Sequence, residues 1–367
     1  MARDPRLTRL VSDLPATVPF VGPEAQERER GKRFTARLGA NESVFGPSPR
    51  AVAAIEAAAR DVWMYGDPET HDLRHALAAH HGIEPEAIVI GEGIDGLLGT
   101  LARLLVEPGD PVVTSLGAYP TFAYHVRAVG GALTCVPYRD DHEDPDALAA
   151  AARENGAKLV YLANPDNPMG TCLSAGTIQT LIEALPDDCL LALDEAYADF
   201  APAGAVPLMD TGEARVIRLR TFSKAHGLAG LRVGYAIGEP ILIRAFERIR
   251  NHFGVGRLAQ AAALAALKDT EWMAHVQGEV AQARDRIAAI AEAVGLTPLP
   301  SATNFVAIDC GGDGDRARAV LEGLLSRGIF VRMPGVPPLD RCIRVTAGRP
   351  GDLDRFADAL TATLAEL

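Results

Sequence analysis

The sequence predicts an α/β protein: a mostly parallel, seven-stranded sheet in a large domain, followed by a smaller α+β domain. Three observations carry this. Seven short apolar runs lie between residues 87 and 237, and runs of that length with no alternation are how strands buried on both faces read. Most are separated by helix-length segments, the rhythm of parallel strands joined by covering helices. After residue 250 the texture changes to a long helical stretch and then strands mixed with helices. A chain of 367 residues is long enough for two cores.

Taken in order, residues 1–35 are proline-spotted and then charged. The mixed run Glu24-Ala-Gln-Glu-Arg-Glu-Arg-Gly-Lys-Arg33 reads as a solvated helical face. Leu38 to Pro49 is a turn-rich loop, and Pro49 suits the first turn of the alanine-rich helix after it. Ala87–Ile90 reads as a strand, Gly91–Gly96 as a glycine-rich turn and Leu97–Val106 as a helix. Further strands are expected at Pro111–Ser115, Ala132–Val136, Lys158–Leu162, Cys189–Leu193, Val216–Leu219 and Val233–Ile237. A continuous helix over roughly 257–294 would serve as a hinge. Beyond it come strands at Asn304–Ile308, Ile329–Arg332 and Cys342–Thr346 and a final amphipathic helix. The expected organisation is an N-terminal arm (1–45) packing with the small domain, a large domain (46–255) and a small C-terminal domain (256–367).

Composition narrows the function. A net charge of −12 argues against nucleic-acid binding, since no basic field offsets phosphate repulsion. The five cysteines are scattered without a C-x-x-C pair, as reduced thiols rather than a disulfide framework or zinc site. No apolar run has signal-peptide or membrane-span length. A cytoplasmic protein is expected.

The chemistry-bearing residues fall at strand ends and loops. Thr221-Phe-Ser-Lys-Ala-His-Gly follows an apolar strand, and Lys224 within it is costly to bury. A desolvated lysine has a lowered pKa and attacks aldehydes. Asp194 ends another apolar strand, where it is either a helix cap or a partner for a heteroaromatic nitrogen; Tyr197 comes three residues on. The Gly91–Gly96 turn is either packing or an anion cradle at a helix N-terminus. In Asn164-Pro-Asp-Asn-Pro-Met-Gly170, Asn167 either turns the chain or aims an amide at a ligand. Arg232 and Arg344 are ion-pair residues or forks for a phosphate and a carboxylate. In this order they match what pyridoxal phosphate needs: phosphate cradle, ring stack, ring-nitrogen partner, phenol partners and Schiff-base lysine.

Over nearly the whole chain the sequence resembles the aspartate-aminotransferase superfamily of pyridoxal-phosphate enzymes (fold type I), and within it the histidinol-phosphate aminotransferases. The motifs are Asn164-Pro-Asp-Asn-Pro-Met-Gly, Asp194-Glu-Ala-Tyr, Thr221-Phe-Ser-Lys-Ala and Gly230-Leu-Arg-Val-Gly. The resemblance implies that Lys224 bonds the cofactor, Asp194 pairs with the pyridine nitrogen, and Asn167 and Tyr197 contact its phenolic oxygen. The amides of Gly93, Ile94 and Asp95, with Ser223 and Arg232, would hold the phosphate, and Tyr119 would stack on the ring. Tyr65 would reach the phosphate of a partner subunit, implying a homodimer. Arg344 would grip a substrate carboxylate, with Asn41, Phe20 and Arg332 also on the substrate side. The implied reaction moves an amino group from histidinol phosphate or an aromatic amino acid to a 2-oxo acid such as 2-oxoglutarate.

The sequence departs from the family pattern at Phe20, usually a tyrosine, at Met169, usually a threonine, at Gly117-Ala118 and at Met333. Phe20 falls at the substrate end, and together these departures leave the cofactor chemistry intact and bear on whether histidinol phosphate is the donor. A lost hydroxyl donor is worth about 1–3 kcal/mol where its partner stays buried, enough to shift donor preference. Three other readings remain open from sequence: a decarboxylase of the threonine-phosphate type, a cofactor-binding regulator, and a nucleotide-binding α/β protein. The regulator lacks room for a DNA-binding segment in residues 1–35. The nucleotide reading leaves Asn167, Asp194, Lys224 and Arg232 unexplained.

Overall fold

The structure is a computed structural model describing residues 6–14 and 21–367; Phe20 lies outside them. A short strand, β1 (Ala36–Arg37), precedes the central sheet. That sheet contains β2 (Ile88–Gly91), β3 (Pro111–Ser115), β4 (Ala132–Val136), β5 (Leu159–Ala163), β6 (Leu190–Asp194), β7 (Val216–Thr221) and β8 (Gly234–Ile237). Its seven strands run in the order β2-β8-β7-β6-β5-β3-β4. β8 is antiparallel to both neighbours and every other pairing is parallel.

Every residue of β5 and β6 is buried, because helices cover both faces. Leu159, Tyr161 and Ala163 join one core with Leu97, Leu101 and Phe122 from the helices on that face. Val160 and Leu162 join the other with Leu148, Ile178 and Leu181. Side chains alternate faces along a strand, so at the end of β6 Asp194 continues the row of Leu190 and Ala192, and Glu195 the opposite row. β3 and β5 pair only through Val112↔Leu159 and Val113↔Val160. Beyond that they part, and a crevice opens at the carboxyl ends of the strands, where α/β sheets bind ligands.

The C-terminal part has its own antiparallel sheet, β12-β10-β9, from β9 (Thr297–Pro298), β10 (Phe305–Asp309) and β12 (Cys342–Thr346). Its core joins Phe305, Ile343, Val345 and Phe356 to Val276, Val280 and Ile287 of the helix Thr270–Ala293. The short strand β11 (Ile329–Phe330) pairs in parallel with β1, Ala36 opposite Ile329.

Three expectations are corrected. The continuous helix over 257–294 is two helices, Arg257–Leu267 and Thr270–Ala293, because the Asp269 side chain caps the second by accepting from Trp272 N at 3.3 Å. The helix expected from Leu97 starts at Gly93, so the glycine-rich turn is largely its first turn. The strand Ile329–Arg332 shortens to two residues, with Arg332 joined to Arg344 by an isolated bridge. Among the described residues no helix is long and apolar enough to cross a membrane.

Candidate active site

Strands deliver the site residues to one cavity of about 370 Å³, whose walls include Ile94, Asp95, Tyr119, Asn167, Asp194, Tyr197, Ser223, Lys224, Arg232 and Arg344. Asn41 and Arg332 line it too. Lys224 lies three residues past β7, in a turn tied by Thr221, whose Oγ1 accepts from Ser223 N at 3.0 Å. Part of its side chain faces the open crevice, but its amine sits deep among protein atoms. That burial, helped by the charge of Arg344, pushes its pKa down to about 8. Its Nζ donates to the Asn41 carbonyl at 3.1 Å.

Asp194 faces the same space. Tyr161 OH donates to its Oδ2 at 2.8 Å and Ala196 N to its Oδ1 at 2.9 Å. Burial nevertheless raises its pKa to about 6, against the pull of those two donors. No cation bonds this carboxylate directly among the described residues, which leaves its charge available to one that enters. Asn41, buried with φ 55, donates from Nδ2 to Tyr197 OH at 2.8 Å and accepts at Oδ1 from Thr346 Oγ1 at 3.0 Å. Its amide is thus engaged within the protein.

At the other end of the cavity the helix Gly93–Leu105 points its first N–H groups, which have no intrahelical acceptor, toward Arg232. A Cβ on Gly93 would stand 2.5 Å from Arg232 Nη2, and Gly93 has φ +76, so only glycine fits. Arg232 has φ 53, a strained value for a residue with a side chain. Its Nη1 donates to Ser223 Oγ at 3.2 Å and to Ala229 O at 2.9 Å. Amides, hydroxyl and guanidinium converge here as a small-anion cradle.

Arg344, on β12, crosses to the central sheet and donates from Nη1 to Asn167 Oδ1. Its Nε is buried with no hydrogen-bond partner, an orphan donor that a bound anion would satisfy. Arg332 Nη2 donates to Val21 O at 2.6 Å, tying the cavity wall to the N-terminal segment. Tyr65 is not in the cavity: it is 77% exposed and packs on Phe253, ring centroids 4.7 Å apart.

Sequence reasoning missed Tyr161, Glu143 and Asp166. Tyr161 sits inside an apolar run and looks like core. Glu143 and Asp166 are each 2% exposed, and nothing local marks them as buried.

These residues fit a phosphorylated pyridine aldehyde. The cradle has donors suited to a phosphate, the Asp194 carboxylate would suit a protonated ring nitrogen, and the Lys224 amine would suit a carbonyl carbon. Fold and site together define a pyridoxal-phosphate enzyme of the aspartate-aminotransferase type. More narrowly, the chain belongs to the class I and II aminotransferase family, whose profile matches residues 35–360. It is 35% identical to the histidinol-phosphate aminotransferase of Moorella thermoacetica, covering 100% of this chain and 95% of that one. Histidinol-phosphate aminotransferase 1 of Mesorhizobium japonicum is 37% identical over 90% of each chain. Among solved structures, histidinol-phosphate aminotransferase from Sinorhizobium meliloti in complex with pyridoxal-5'-phosphate superposes with a TM-score of 0.96. It is 53% identical, over 99% of this chain and 98% of that one. Thermus thermophilus aspartate aminotransferase with maleate shares the fold at a TM-score of 0.81 and 22% identity, over 97% and 99% of the two chains.

Proposed function

We propose that this protein is a pyridoxal-phosphate-dependent aminotransferase that takes an amino group from histidinol phosphate, or a related amino donor, and gives it to a 2-oxo acid. The observation that carries the reading is the Lys224 amine, with a pKa lowered to about 8, sharing one cavity with Asp194 and the Gly93–Arg232 cradle. The bound cofactor supplies an electron sink that makes the donor's Cα proton acidic. Lys224 would hold the cofactor through its Nζ, and once free that amine would move the proton of the donor's Cα. Asp194 would keep a proton on the ring nitrogen. Tyr197 and Asn167 would contact the phenolic oxygen, Tyr119 would stack on the ring, and the first-turn amides with Ser223 and Arg232 would hold the phosphate. Arg344, with its orphan Nε, and Arg332 beside it bind the anionic end of whichever substrate is present.

The same reading includes a homodimer. Val62, Trp63, Tyr65 and Phe253 are large apolar side chains left exposed, and a second copy covering them would receive Tyr65 at its own phosphate cradle. It also carries the division into an arm, a large domain and a small domain at residues 46 and 256. A donor panel including histidinol phosphate and phenylalanine, with 2-oxoglutarate as acceptor, tests the substrate. Turnover of histidinol phosphate is expected, and no oxo product from any donor would sink the reading. The decarboxylase alternative is not favoured: its mark would be carbon dioxide release without consumption of the 2-oxo acid.

A further inference from the structure

Two carboxyls buried beside the crevice have no part in the chemistry above. Glu143 and Asp166 are each 2% exposed. The chain accepts strain to place Glu143: Asp140 and Asp141 have φ 51 and 64, left-handed at two successive non-glycine positions. They form the tip of a tight turn in which Arg139 N donates to His142 O at 2.9 Å and His142 N to Arg139 O at 3.0 Å. The turn is anchored from outside. Arg341 Nη2 bonds Asp141 Oδ2 at 2.8 Å, and Thr171 Oγ1 donates to Asp141 O at 3.1 Å.

The turn directs Glu143 to where β3 and β5 part. Its Oε1 accepts from Ala163 N at 2.8 Å, and its Oε2 lies 2.6 Å from Ser115 Oγ. Ser115 and Ala163 lie beyond the paired residues of the two strands, so the side chain spans a break in the ladder. Both strands run on into the site: Ser115 leads to Tyr119, and Ala163 leads to Asn167. The second path is itself stiffened by Asp166, which accepts from Tyr138 OH at Oδ1 (2.8 Å) and from Met169 N at Oδ2 (2.9 Å).

We propose that Glu143 is a positioning residue of the cofactor site: its buried carboxyl ties Ser115 to Ala163 and so sets the gap between Tyr119 and Asn167. Burial, then the charge of Asp166 and more weakly that of Asp194, pushes its carboxyl well above the usual range, against the hydrogen bonds of Ser115 and Ala163. A neutral carboxyl needs no cation here. Its two oxygens are used by one amide donor and one hydroxyl that can give or take a proton. An amide of the same shape can make both contacts, whereas alanine leaves the Ala163 N–H buried and unpaired.

The inference rests on the cofactor reading, and its test separates the two. Cofactor-free wild type, Glu143→Gln, Glu143→Ala and Ser115→Ala are titrated with pyridoxal phosphate. The dissociation constant and the pH midpoint of the visible band are recorded. Glu143→Gln is expected within about threefold of wild type, Glu143→Ala weaker by roughly 10- to 100-fold and Ser115→Ala by about three- to tenfold. In the two weaker variants the band's midpoint moves up, because Asn167 no longer favours the ionised phenolic oxygen. Glu143→Gln as impaired as Glu143→Ala overturns the neutral-acid role. A lowered melting temperature with an unmoved midpoint reduces Glu143 to a structural residue and also overturns it. Should Glu143→Ala not fold, Ser115→Ala decides, and wild-type binding there overturns the proposal. A wild type whose band does not respond to an amino donor fails the cofactor reading instead.

Discussion

Asp194 and Glu195 are neighbours at the end of one buried strand and lead opposite lives. Glu195 is held by two arginines: its Oε1 lies 2.5 Å from Arg218 Nη2 and its Oε2 2.8 Å from Arg220 Nε. Burial works to raise its pKa, but the charges of Arg220 and Arg218 outweigh that and hold it below the usual carboxylate range. Asp194, on the other face, gets two neutral donors and no directly bonded cation, and burial wins over them and the weaker pull of Lys224. One carboxylate is finished by the fold, whereas the other waits for a positive charge from outside. An incompletely satisfied buried group beside a satisfied one is how a functional site separates itself from structure.

Five experiments press on this contrast, in order of expected effect. Lys224→Ala is expected to lower turnover by about 10⁴-fold or more while circular dichroism stays native; wild-type-like transamination would break the assignment. In the cofactor-free wild type the same amine should react with acetic anhydride with a midpoint near pH 8, because burial favours its neutral form. A midpoint at the ordinary lysine value of 10.5 would contradict that burial.

Glu195→Gln removes the charge that two arginines share and should cost about 3–5 kcal/mol in chemical denaturation, with the cofactor's visible band unchanged in the folded fraction. Asp194→Asn should do the reverse. Turnover falls by about 10²–10³, yet the cofactor-free protein gains about 1–2 kcal/mol at pH 7. The sign comes from the raised pKa: folding favours the protonated acid, so wild-type stability declines as pH climbs from about 4 through about 6. The variant's advantage therefore disappears by pH 4, and a destabilised Asp194→Asn at pH 7 would refute the contrast. The smallest change is Tyr161→Phe. Without its hydroxyl, Asp194 should titrate above about 6, and kcat should fall by about tenfold or less, read from the pH–rate profile.

Much of the site is legible in the sequence because of where residues sit in the pattern. Asp194, ending the all-apolar β6, and Lys224, three residues beyond β7 in a stretch of hydroxyl and apolar residues, stand out against their context. Glycine at Gly93 and arginine at Arg232 are far apart in the chain, and only the fold brings them within contact of each other. Tyr161 is hidden because an aromatic inside an apolar run is ordinary core, and its hydroxyl matters only through the register of β5 against β6. The break at Asp269 escapes notice because alanine-rich periodicity runs through it, while a single side-chain cap decides the boundary. Glu143 is invisible since its burial depends on a turn of two aspartates, residues that ordinarily mark surface.

The pairing of β1 with β11 has a consequence for how the protein is made. Thr35 and Gly328, bonded side by side, are 293 residues apart in the chain. During synthesis the central sheet emerges first and can fold as a unit, but the segment carrying Asn41 has no strand to join until almost the last residues appear. Lys224 therefore acquires its carbonyl acceptor late, and such a long-range closure is slow. The reactive amine comes into its final setting only after the rest of the molecule is assembled.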